Sequence, residues 1–586
     1  MCHDESFREI IGINDEKQLE VIFSLDKKLI VEAPAGYGKT STLVNKIGYL
    51  IYSNQINWPK KVLALSFSIN AAHKLKTDLF NKLPPLGNKK SISNLSQMLK
   101  VNNYHGFARG VLKLYGYLLH PNLTNITKFK NLDDGQHKNL GEFASSLDIS
   151  EILRMTRFNL AVKNVEQQYL SDHMYDYNSI LLTKLIPFNA ITFNGILTIC
   201  LQLFADFKEI LQFYQTMYSV ILIDEFQDTN HLSLALVERF VNDNNKAYFF
   251  GDSLQKIYGF IGAVPDVLRI VEQRYSINQI SLETNYRFSS NQAMLLLDKN
   301  LRLNALNPGK VAIKNNSVID FELLENQDAE AVHIIQKVKY LQKEDSDATI
   351  AILVKQRGFN VERIIDEFKN SGVDYFYALF TDESEEYSSF HSNCLTCLNE
   401  LLDEQPKTIS KVFLENFRNR LKSKFPVESE ITKSMYALLN LFLKKLSTEY
   451  KSMPFEEKKG FIQDLLQYNG LKHFLGGVKS SVIISTVHAA KGLEWDYVIL
   501  PDMEESSFPN YSGLCKYCDC QTNCNLIVKP NIEAKFLEEL SVFYVAVTRA
   551  RRQIFFTASE IGLDFYGREV NRNTSCLLKL PGIVYN

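Results

Sequence analysis

The chain has 586 residues, of which 45% are hydrophobic and 23% are charged, and its formal net charge is -2. This length exceeds the roughly 250 to 300 residues at which a single hydrophobic core stops growing, so several domains are expected. The composition excludes a mainly disordered chain. Because the net charge is close to zero, a nucleic-acid partner would have to be held by a local basic surface.

The sequence carries no recognisable targeting or membrane signal. The first ten residues are rich in charge and lack the apolar stretch of a signal peptide. Uncharged apolar runs stay far below the length of about 18 residues that indicates a membrane span. We therefore expect a cytoplasmic protein with no membrane partner.

Short apolar runs separated by helix-like segments dominate the chain and predict buried strands. Strands that are apolar on both faces are typical of parallel sheets covered by helices, which predicts an α/β fold. The wide gap between the early and the late runs predicts two such sheets. The runs interpreted as strands are 29–31, 62–67, 220–223, 248–250, 350–354, 482–485, 498–500 and 554–556.

Two helical, polar stretches interrupt this alternation and predict insertions. The first sheet domain is expected to consist of residues 1–110 and 188–279, with a helical insertion at 111–187. The second is expected to consist of residues 280–379 and 478–586, with a shorter helical insertion at 380–477.

Residues 29–43 place a strand, a glycine-bearing loop and the start of a helix in the order that a phosphate-binding loop requires. Gly36 and Gly38 can turn amide hydrogens inwards, Lys39 can reach the β and γ phosphates, and the Thr40 hydroxyl can bind Mg²⁺. The alternative is a chance turn before a helix. The predicted nucleotide contacts in this loop are Ala35, Gly36, Tyr37, Gly38, Lys39, Thr40 and Ser41.

A second acidic element follows the predicted strand at 220–223. Asp224 would emerge at the strand end to bind Mg²⁺, and Glu225 would polarise the attacking water. The alternative is a solvated pair of carboxylates. Together the two elements predict nucleotide hydrolysis with ATP and Mg²⁺ as ligands.

With these elements, the chain resembles superfamily 1A helicases of the UvrD/Rep/PcrA type, and its motifs follow the family's order from residue 13 to about residue 557. The resemblance implies two RecA-like domains of a P-loop NTPase with ATP bound in the cleft between them. Besides the phosphate loop, the segments that carry the resemblance are 13–18, 224–229, 251–260, 283–287, 486–495 and 543–550.

The resemblance implies a role for further residues at the nucleotide. Gln18 would read the adenine edge, Tyr286 would stack on the base, and Glu494 would contact the ribose. Gln255 would sense the γ phosphate.

The resemblance also implies two arginine fingers, Arg287 and Arg549, that reach in from the second sheet. A planar guanidinium can donate to the phosphoryl oxygens as charge shifts in the transition state. This assignment completes the predicted catalytic set.

The DNA side resembles the family less closely. Phe67 stands where an aromatic residue stacks on a base, and the segments around Tyr104 and Tyr175 look like the next two DNA-side segments. The family's usual arginine after a base-stacking aromatic residue is Ile261 here. Stacking suits a motor that must tolerate any sequence. The predicted DNA contacts are Phe67, Tyr104, His105, Phe260 and His488.

The second sheet domain contains a ten-residue segment with four cysteines, Cys515, Cys518, Cys520 and Cys524. Four thiolates can close a tetrahedral zinc site, and the first spacing is usual for zinc. An iron-sulfur cluster and reduced cysteines in a surface loop are the alternatives. The cluster therefore predicts a structural Zn²⁺ site with no catalytic role.

The resemblance implies an ATP-dependent helicase that moves 3′ to 5′ along single-stranded DNA or a tailed duplex, in repair or in the displacement of bound proteins. A nucleic-acid-stimulated ATPase that serves as a sensor or regulatory subunit is the alternative. It would work with a separate nuclease, for example in anti-phage defence. Unwinding of a tailed duplex by the chain alone would distinguish the two.

Overall fold

The computed structural model describes residues 2–56, 58–67, 69–83, 97–135, 140–141, 143, 146–259, 262–381, 384–451, 453–467, 469–517, 526–564 and 566–585. The chain divides into two compact units, Met1–Arg287 and Phe288–Asn586. Each unit contains its own sheet.

The sheet of the first unit is parallel, with the strand order β3-β2-β6-β7-β1-β8, and a separate short pair joins β4 to β5. Its central strands bury nearly every side chain, as strands with helices on both faces should. The four strands predicted in this half are confirmed. The strands are β1 (Lys28–Glu32), β2 (Lys61–Ser66), β3 (Leu99–Asn103), β4 (Lys130–Leu132), β5 (Ala190–Thr192), β6 (Tyr218–Asp224), β7 (Lys246–Gly251) and β8 (Asn278–Ser281).

Helices connect these strands, and the predicted helical insertion lies between β3 and β6. Apolar side chains from β2, β6 and these inserted helices form one continuous core, including Leu63, Ile221 and Phe158. The boundaries at 111 and 187 stay a prediction. The helices are α1 (Cys2–Ile11), α2 (Glu16–Phe23), α3 (Lys39–Tyr52), α4 (Ile69–Lys82), α5 (Tyr104–Tyr115), α6 (Ile149–Lys163), α7 (Gln167–Ile180), α8 (Phe193–Asp206), α9 (Lys208–Met217), α10 (His231–Glu238) and α11 (Val267–Tyr275).

The sheet of the second unit has the order β11-β12-β10-β13-β14-β9-β16 and is parallel, while β15 pairs antiparallel with β14. The four strands predicted in this half are confirmed too. The strands are β9 (Ser317–Asn326), β10 (Ile350–Val354), β11 (Phe376–Ala378), β12 (Val482–Thr486), β13 (Trp495–Leu500), β14 (Ala550–Leu563), β15 (Glu569–Asn571) and β16 (Ile583–Tyr585).

The second predicted insertion is also helical and lies between β11 and β12. Serine caps begin two of its helices: Ser410 accepts from the Phe413 N–H at 3.2 Å, and Ser429 accepts from the Thr432 N–H at 3.1 Å. The helices of this unit are α12 (Gln292–Leu306), α13 (Gln327–Glu344), α14 (Phe359–Ser371), α15 (Glu385–Asp403), α16 (Lys411–Lys424), α17 (Glu430–Thr448), α18 (Phe455–Gln467) and α19 (Glu533–Val547).

The α/β fold with two parallel sheets and helical insertions is thereby confirmed. Across the described residues, no helix combines the length and the apolar character that crossing a membrane would need.

Candidate functional site

The loop between β1 and α3 is built around two glycines in the left-handed region. Gly36 has φ 84° and Gly38 has φ 83°, which residues with a side chain rarely adopt. A Cβ at Gly36 would lie 2.7 Å from Cβ of Arg287, and one at Gly38 would lie 2.5 Å from Nε2 of Gln18. The loop ends directly at the N-terminus of α3, whose free amides and dipole favour an anion such as phosphate.

Lys39, the first residue of α3, pairs with two acids at the end of β6. Its Nζ contacts the carboxylate of Glu225 and lies 3.6 Å from Oδ1 of Asp224. Burial by itself lowers the pKa of Lys39, but the Glu225 and Asp224 carboxylates raise it above its usual value, so the ammonium stays charged. We call Asp224 and Glu225 the acid pair.

A left-handed turn at the strand end gives the acid pair its arrangement. Glu225 has φ 53°, and its N–H donates to Oδ1 of Asp224 at 3.0 Å. Such a conformation is uncommon outside glycine and often marks a functional position. The turn brings both carboxylates to the ammonium of Lys39.

Asp252, which follows β7, joins the phosphate loop to the acid pair. Its buried carboxylate accepts from the Ala35 N–H at 3.2 Å and from Nε2 of Gln255 at 2.8 Å. Gln227 donates from Nε2 to Oε2 of Glu225 at 2.6 Å and accepts from the Asp252 N–H at 3.1 Å. Asp252 and Gln227 are not among the site residues that the sequence predicts. The sequence signal that could have identified them is a polar side chain shortly after a buried strand.

Tyr286 and Gln18 fit a purine base beside this loop. The Tyr286 N–H donates to the Gly36 carbonyl at 2.9 Å, its hydroxyl donates to Asp15 at 2.9 Å, and its ring is 48% exposed. Gln18 is buried, and its Oε1 has no hydrogen-bond partner within the described part of the chain. An acceptor of this kind suits the amino group of adenine, while the exposed ring offers a face for stacking.

Arg287 corrects one expectation. The sequence predicts that residues from 280 onwards belong to the second sheet domain, but β8 pairs with β1 and the first unit extends to Arg287. The strand was missed because three of its four residues, Asn278, Gln279 and Ser281, are polar. Arg287 therefore lies against the phosphate loop from within the same unit and does not come from the second sheet.

The first turn of α3 and the end of β6 offer ligands for magnesium. Thr40 lies in the first turn of α3, and Asp224 is the last residue of β6. A hydroxyl and a carboxylate are oxygen donors of the type that Mg²⁺ shares with nucleotide phosphates. Thr40 and Asp224 are therefore the residues that would hold the ion. When bound, Mg²⁺ would neutralise charge on the phosphates.

In the second unit, Arg549 packs against the segment that carries Glu494. The guanidinium is buried, and it donates to the Val545 carbonyl at 2.9 Å and to the Leu493 carbonyl at 3.1 Å. The Trp495 N–H donates to the Arg549 carbonyl at 3.0 Å. The structure thus brings together these two predicted nucleotide contacts, and Glu494 is exposed beside the arginine.

Two of the predicted DNA contacts occupy different environments. Phe67 is half-buried and stacks on Tyr258, with ring centroids 5.4 Å apart. Tyr104 is buried in the core, with its hydroxyl 2.9 Å from the Thr229 hydroxyl. The expectation of a direct Tyr104 contact with DNA is therefore corrected, because no face of its ring is open to a base.

The remaining predicted DNA contacts are histidines and one phenylalanine. His105 makes an edge contact with Phe193, and burial lowers the pKa of His105 to about 4. Burial and the Lys355 charge also lower the pKa of His488 to about 4. Both imidazoles are therefore neutral near pH 7. Phe260 lies outside the described residues.

The cysteine cluster is described only at its first member. The Cys515 thiol donates to the Pro509 carbonyl at 3.4 Å and accepts from the Ser506 N–H at 3.4 Å. Cys518, Cys520 and Cys524 lie outside the described residues. The zinc assignment stays a prediction from the sequence.

The arrangement of phosphate loop, acid pair and base-binding side chains is that of a P-loop enzyme that hydrolyses ATP. Two family descriptions match the chain: UvrD/REP helicase N-terminal domain at residues 14–276, and UvrD-like helicase C-terminal domain at residues 356–560. The chain belongs to the UvrD/Rep family of ATP-dependent DNA helicases.

Relatives that align with this chain over most of their own length agree with this assignment. A probable DNA helicase II homolog of Mycoplasma genitalium is 24% identical, over 93% of this chain and 84% of its own length. The ATP-dependent DNA helicase PcrA of Bacillus subtilis is 22% identical, over 97% of this chain and 86% of its own. A probable DNA helicase II homolog of Rickettsia conorii is 25% identical, over 94% and 93%. These matches favour the helicase over the sensor subunit.

Proposed function

We propose that this helicase couples ATP hydrolysis to movement along single-stranded DNA in the 3′ to 5′ direction. The family resemblance supports the direction. The proposal includes Mg²⁺ at Thr40 and Asp224, and the action of Arg549 and Glu494 on ATP. A partner nuclease and a role in repair or anti-phage defence stay predictions from the sequence.

One observation carries the coupling: a single short segment serves both the nucleotide side and the aromatic side of the first unit. Asp252 and Gln255 belong to the hydrogen-bonded network of the phosphate loop. Three residues beyond Gln255, Tyr258 stacks on Phe67. A change in the contacts of Gln255 during hydrolysis would therefore move the partner of the aromatic ring that is predicted to stack on a base.

A second connection runs through the acid pair. Gln227 contacts Glu225 and Asp252, and two residues later Thr229 contacts the Tyr104 hydroxyl. Tyr104 begins α5, the helix that follows β3. In this reading Tyr104 positions the DNA side through packing, and it does not touch the strand.

The test is ATP hydrolysis by the full chain with and without single-stranded DNA, in wild type, Glu225→Gln and Phe67→Ala. We expect DNA to stimulate wild type, Glu225→Gln to abolish hydrolysis, and Phe67→Ala to reduce the stimulated rate by a larger factor than the DNA-independent rate. Phe213→Ala, which removes an aromatic ring that is 51% exposed on α9, is the matched control. Equal loss of both rates in Phe67→Ala would contradict the coupling.

Strand displacement tests the direction. A 3′-tailed duplex should be unwound and a 5′-tailed duplex should not, because only the first offers a loading strand with the required polarity. Faster unwinding of the 5′-tailed substrate would overturn the 3′ to 5′ assignment and leave the ATP site intact.

A further inference from the structure

A second group of carboxylates lies in the second unit, away from every motif discussed above. Glu330, Asp502 and Glu504 each offer an oxygen atom, and these atoms lie within 4.8 Å of one another. Glu330 stands in the first turn of α13, and the other two follow β13. Glu330 and Glu504 are almost completely buried. We call these three residues the acid cluster.

Three hydrogen-bond donors surround the carboxyl group of Glu330. Its Oε1 accepts from the Thr557 hydroxyl at 2.6 Å and from the Asp502 N–H at 3.2 Å, and its Oε2 accepts from Nδ2 of Asn360 at 2.8 Å. Such donors lower the pKa of a carboxyl group, but burial and the Asp502 charge raise the pKa of Glu330 to about 7 overall. Glu330 therefore lies, with three hydrogen bonds of its own, beside two further carboxyl groups.

No side-chain cation of the described residues forms an ion pair with the acid cluster. Arg572 is the cation that acts on Asp502 and Glu504 electrostatically, but its guanidinium donates to the carbonyls of Glu505 at 3.4 Å and Leu563 at 3.0 Å. The N-termini of α13 and α14 offset part of the charge. Buried carboxyl groups at this spacing cannot all be ionised unless a cation lies among them.

Three oxygen atoms at the acid cluster are buried and have no hydrogen-bond partner in the described ranges: Glu504 Oε1, Asn360 Oδ1 and Ser559 Oγ. The Asn360 amide lies against the cluster, because its Nδ2 contacts both Glu330 and Asp502. The Ser559 N–H donates to Glu504 at 3.4 Å.

The Ser559 side chain faces the cluster as well. On β14 it stands two residues after Thr557, so both side chains lie on the same face of the strand. The Thr557 hydroxyl contacts Glu330. The unpartnered buried hydroxyl of Ser559 therefore lies on the same face of β14 as the Thr557 hydroxyl that contacts Glu330.

We propose that the acid cluster, together with the free oxygen atoms of Asn360 and Ser559, binds a divalent cation that prefers oxygen ligands. Such an ion would neutralise the carboxylates and use the three unpartnered oxygens. Ca²⁺ is the better fit than Mg²⁺, because Ca²⁺ accepts many protein oxygens in a flexible arrangement whereas Mg²⁺ keeps several waters. The ion would tie α13, α14 and the segment after β13 to β14, which is a structural role.

The test uses the full chain, stripped of metal with a chelator and free of nucleotide. Isothermal titration with CaCl₂ should show one Ca²⁺ bound per chain, and the thermal unfolding midpoint should rise with added Ca²⁺. Glu504→Gln keeps the size of the side chain and removes one charge, so it should fold without metal. It should bind Ca²⁺ at least about 10-fold more weakly and lose the shift in midpoint.

Three further variants make the result decisive. Asp502→Asn should reproduce the loss, which guards against a fault confined to position 504. Asp134→Asn, which neutralises a buried acid of the first unit, and Asp224→Asn, which neutralises the expected magnesium ligand, should both keep the Ca²⁺ response. The proposal is overturned if wild type binds no divalent cation at millimolar concentration, or if both cluster variants bind as tightly as wild type. Tighter binding of Mg²⁺ would support the site and overturn the preference for Ca²⁺.

Discussion

Both parallel sheets have buried or half-buried carboxyl groups at or just beyond the ends of their strands, but the two units balance these groups differently. In the first unit, Asp224 and Glu225 share the ammonium of Lys39, which the helix after the phosphate loop supplies. In the second unit, Glu330, Asp502 and Glu504 receive hydrogen bonds and no ion pair from the described residues.

The difference shows that the sheet topology determines where the acidic groups lie. The individual residues around these groups determine whether the place can bind a nucleotide. A strand end beside helix N-termini favours negative groups in either sheet. Only the first unit adds two glycines with positive φ, a lysine and an exposed aromatic ring at that place. Substitutions that alter one of these features at a time test which of them the chemistry needs.

Lys39→Ala would make the acid pair resemble the acid cluster by removing its cation. We expect ATP hydrolysis to fall by about 100- to 1000-fold, because a positioned donor to the phosphates is lost in the transition state. Steady-state hydrolysis measures the effect, and circular dichroism checks the fold. Lys113→Ala, an exposed lysine of α5, is the control. A folded Lys39→Ala variant with nearly wild-type turnover would refute the site assignment.

Gln227→Glu would add a third carboxylate to the acid pair. Gln227 Nε2 lies 2.6 Å from Oε2 of Glu225, so the substitution replaces a hydrogen bond to a charged group by repulsion. Loss of such a bond costs about 1.5 to 3 kcal/mol, which corresponds to roughly a 10- to 100-fold lower kcat. The acidic limb of the pH–rate profile should also move to higher pH, because the new charge raises the pKa of Glu225.

Gln227→Met separates the two causes of this effect. It removes the hydrogen bond without adding charge, so kcat should fall while the acidic limb of the profile stays in place. If the glutamate and methionine variants gave the same profile, repulsion at Glu225 would not be the cause.

The sequence was sufficient to predict the elements whose signal is local. All eight predicted strands are apolar runs, and the phosphate loop is contiguous from Ala35 to Ser41. The missed strands β3 and β8 are largely polar because they lie at the two edges of the first sheet. Missing β8 in turn put Arg287 in the wrong unit.

Features that depend on distant residues could not be predicted in this way. The Asp252 carboxylate contacts the Ala35 amide across 217 positions, and the Asp502 amide contacts Glu330 across 172. Each residue alone resembles an ordinary polar side chain near a strand end. Only folding brings the oxygens together, so neither the role of Asp252 nor the acid cluster has a signature in a single segment.

Tyr286→Ala tests the exposed aromatic ring, which is present beside the strand ends of the first sheet and is not part of the acid cluster in the second. We expect the KM for ATP to rise by about 10-fold with little change in kcat, because stacking on a base is worth about 1 to 3 kcal/mol and acts on binding. Tyr286→Phe keeps the ring and removes the hydroxyl that donates to Asp15. It should stay close to wild type. If alanine and phenylalanine raised KM equally, the hydroxyl and not the ring would be the important group.

Asp134 of the first unit is a single buried carboxyl group that accepts hydrogen bonds. It forms no ion pair among the described residues. It accepts from the Tyr177 hydroxyl and from Nδ2 of Asn194 at 3.3 Å, and burial raises its pKa to about 6. The folded state therefore holds a proton that the unfolded state releases above its ordinary pKa of about 4. Stability is highest below that value and is lost as the pH rises through about 6.

Asp134→Asn removes this titration and should make the first unit more stable at pH 8 than wild type, while the advantage shrinks towards pH 4. Each kcal/mol gained in the free energy of unfolding should raise the unfolding midpoint by about 2 to 4 °C in a unit of this size. Midpoints of both proteins measured from pH 4 to pH 8 give the difference. The exposed Asp176→Asn makes the same change in net charge and should show no such dependence. A constant difference across this range for Asp134→Asn would mean that the carboxylate does not hold its proton, and that its hydrogen bonds alone balance its charge.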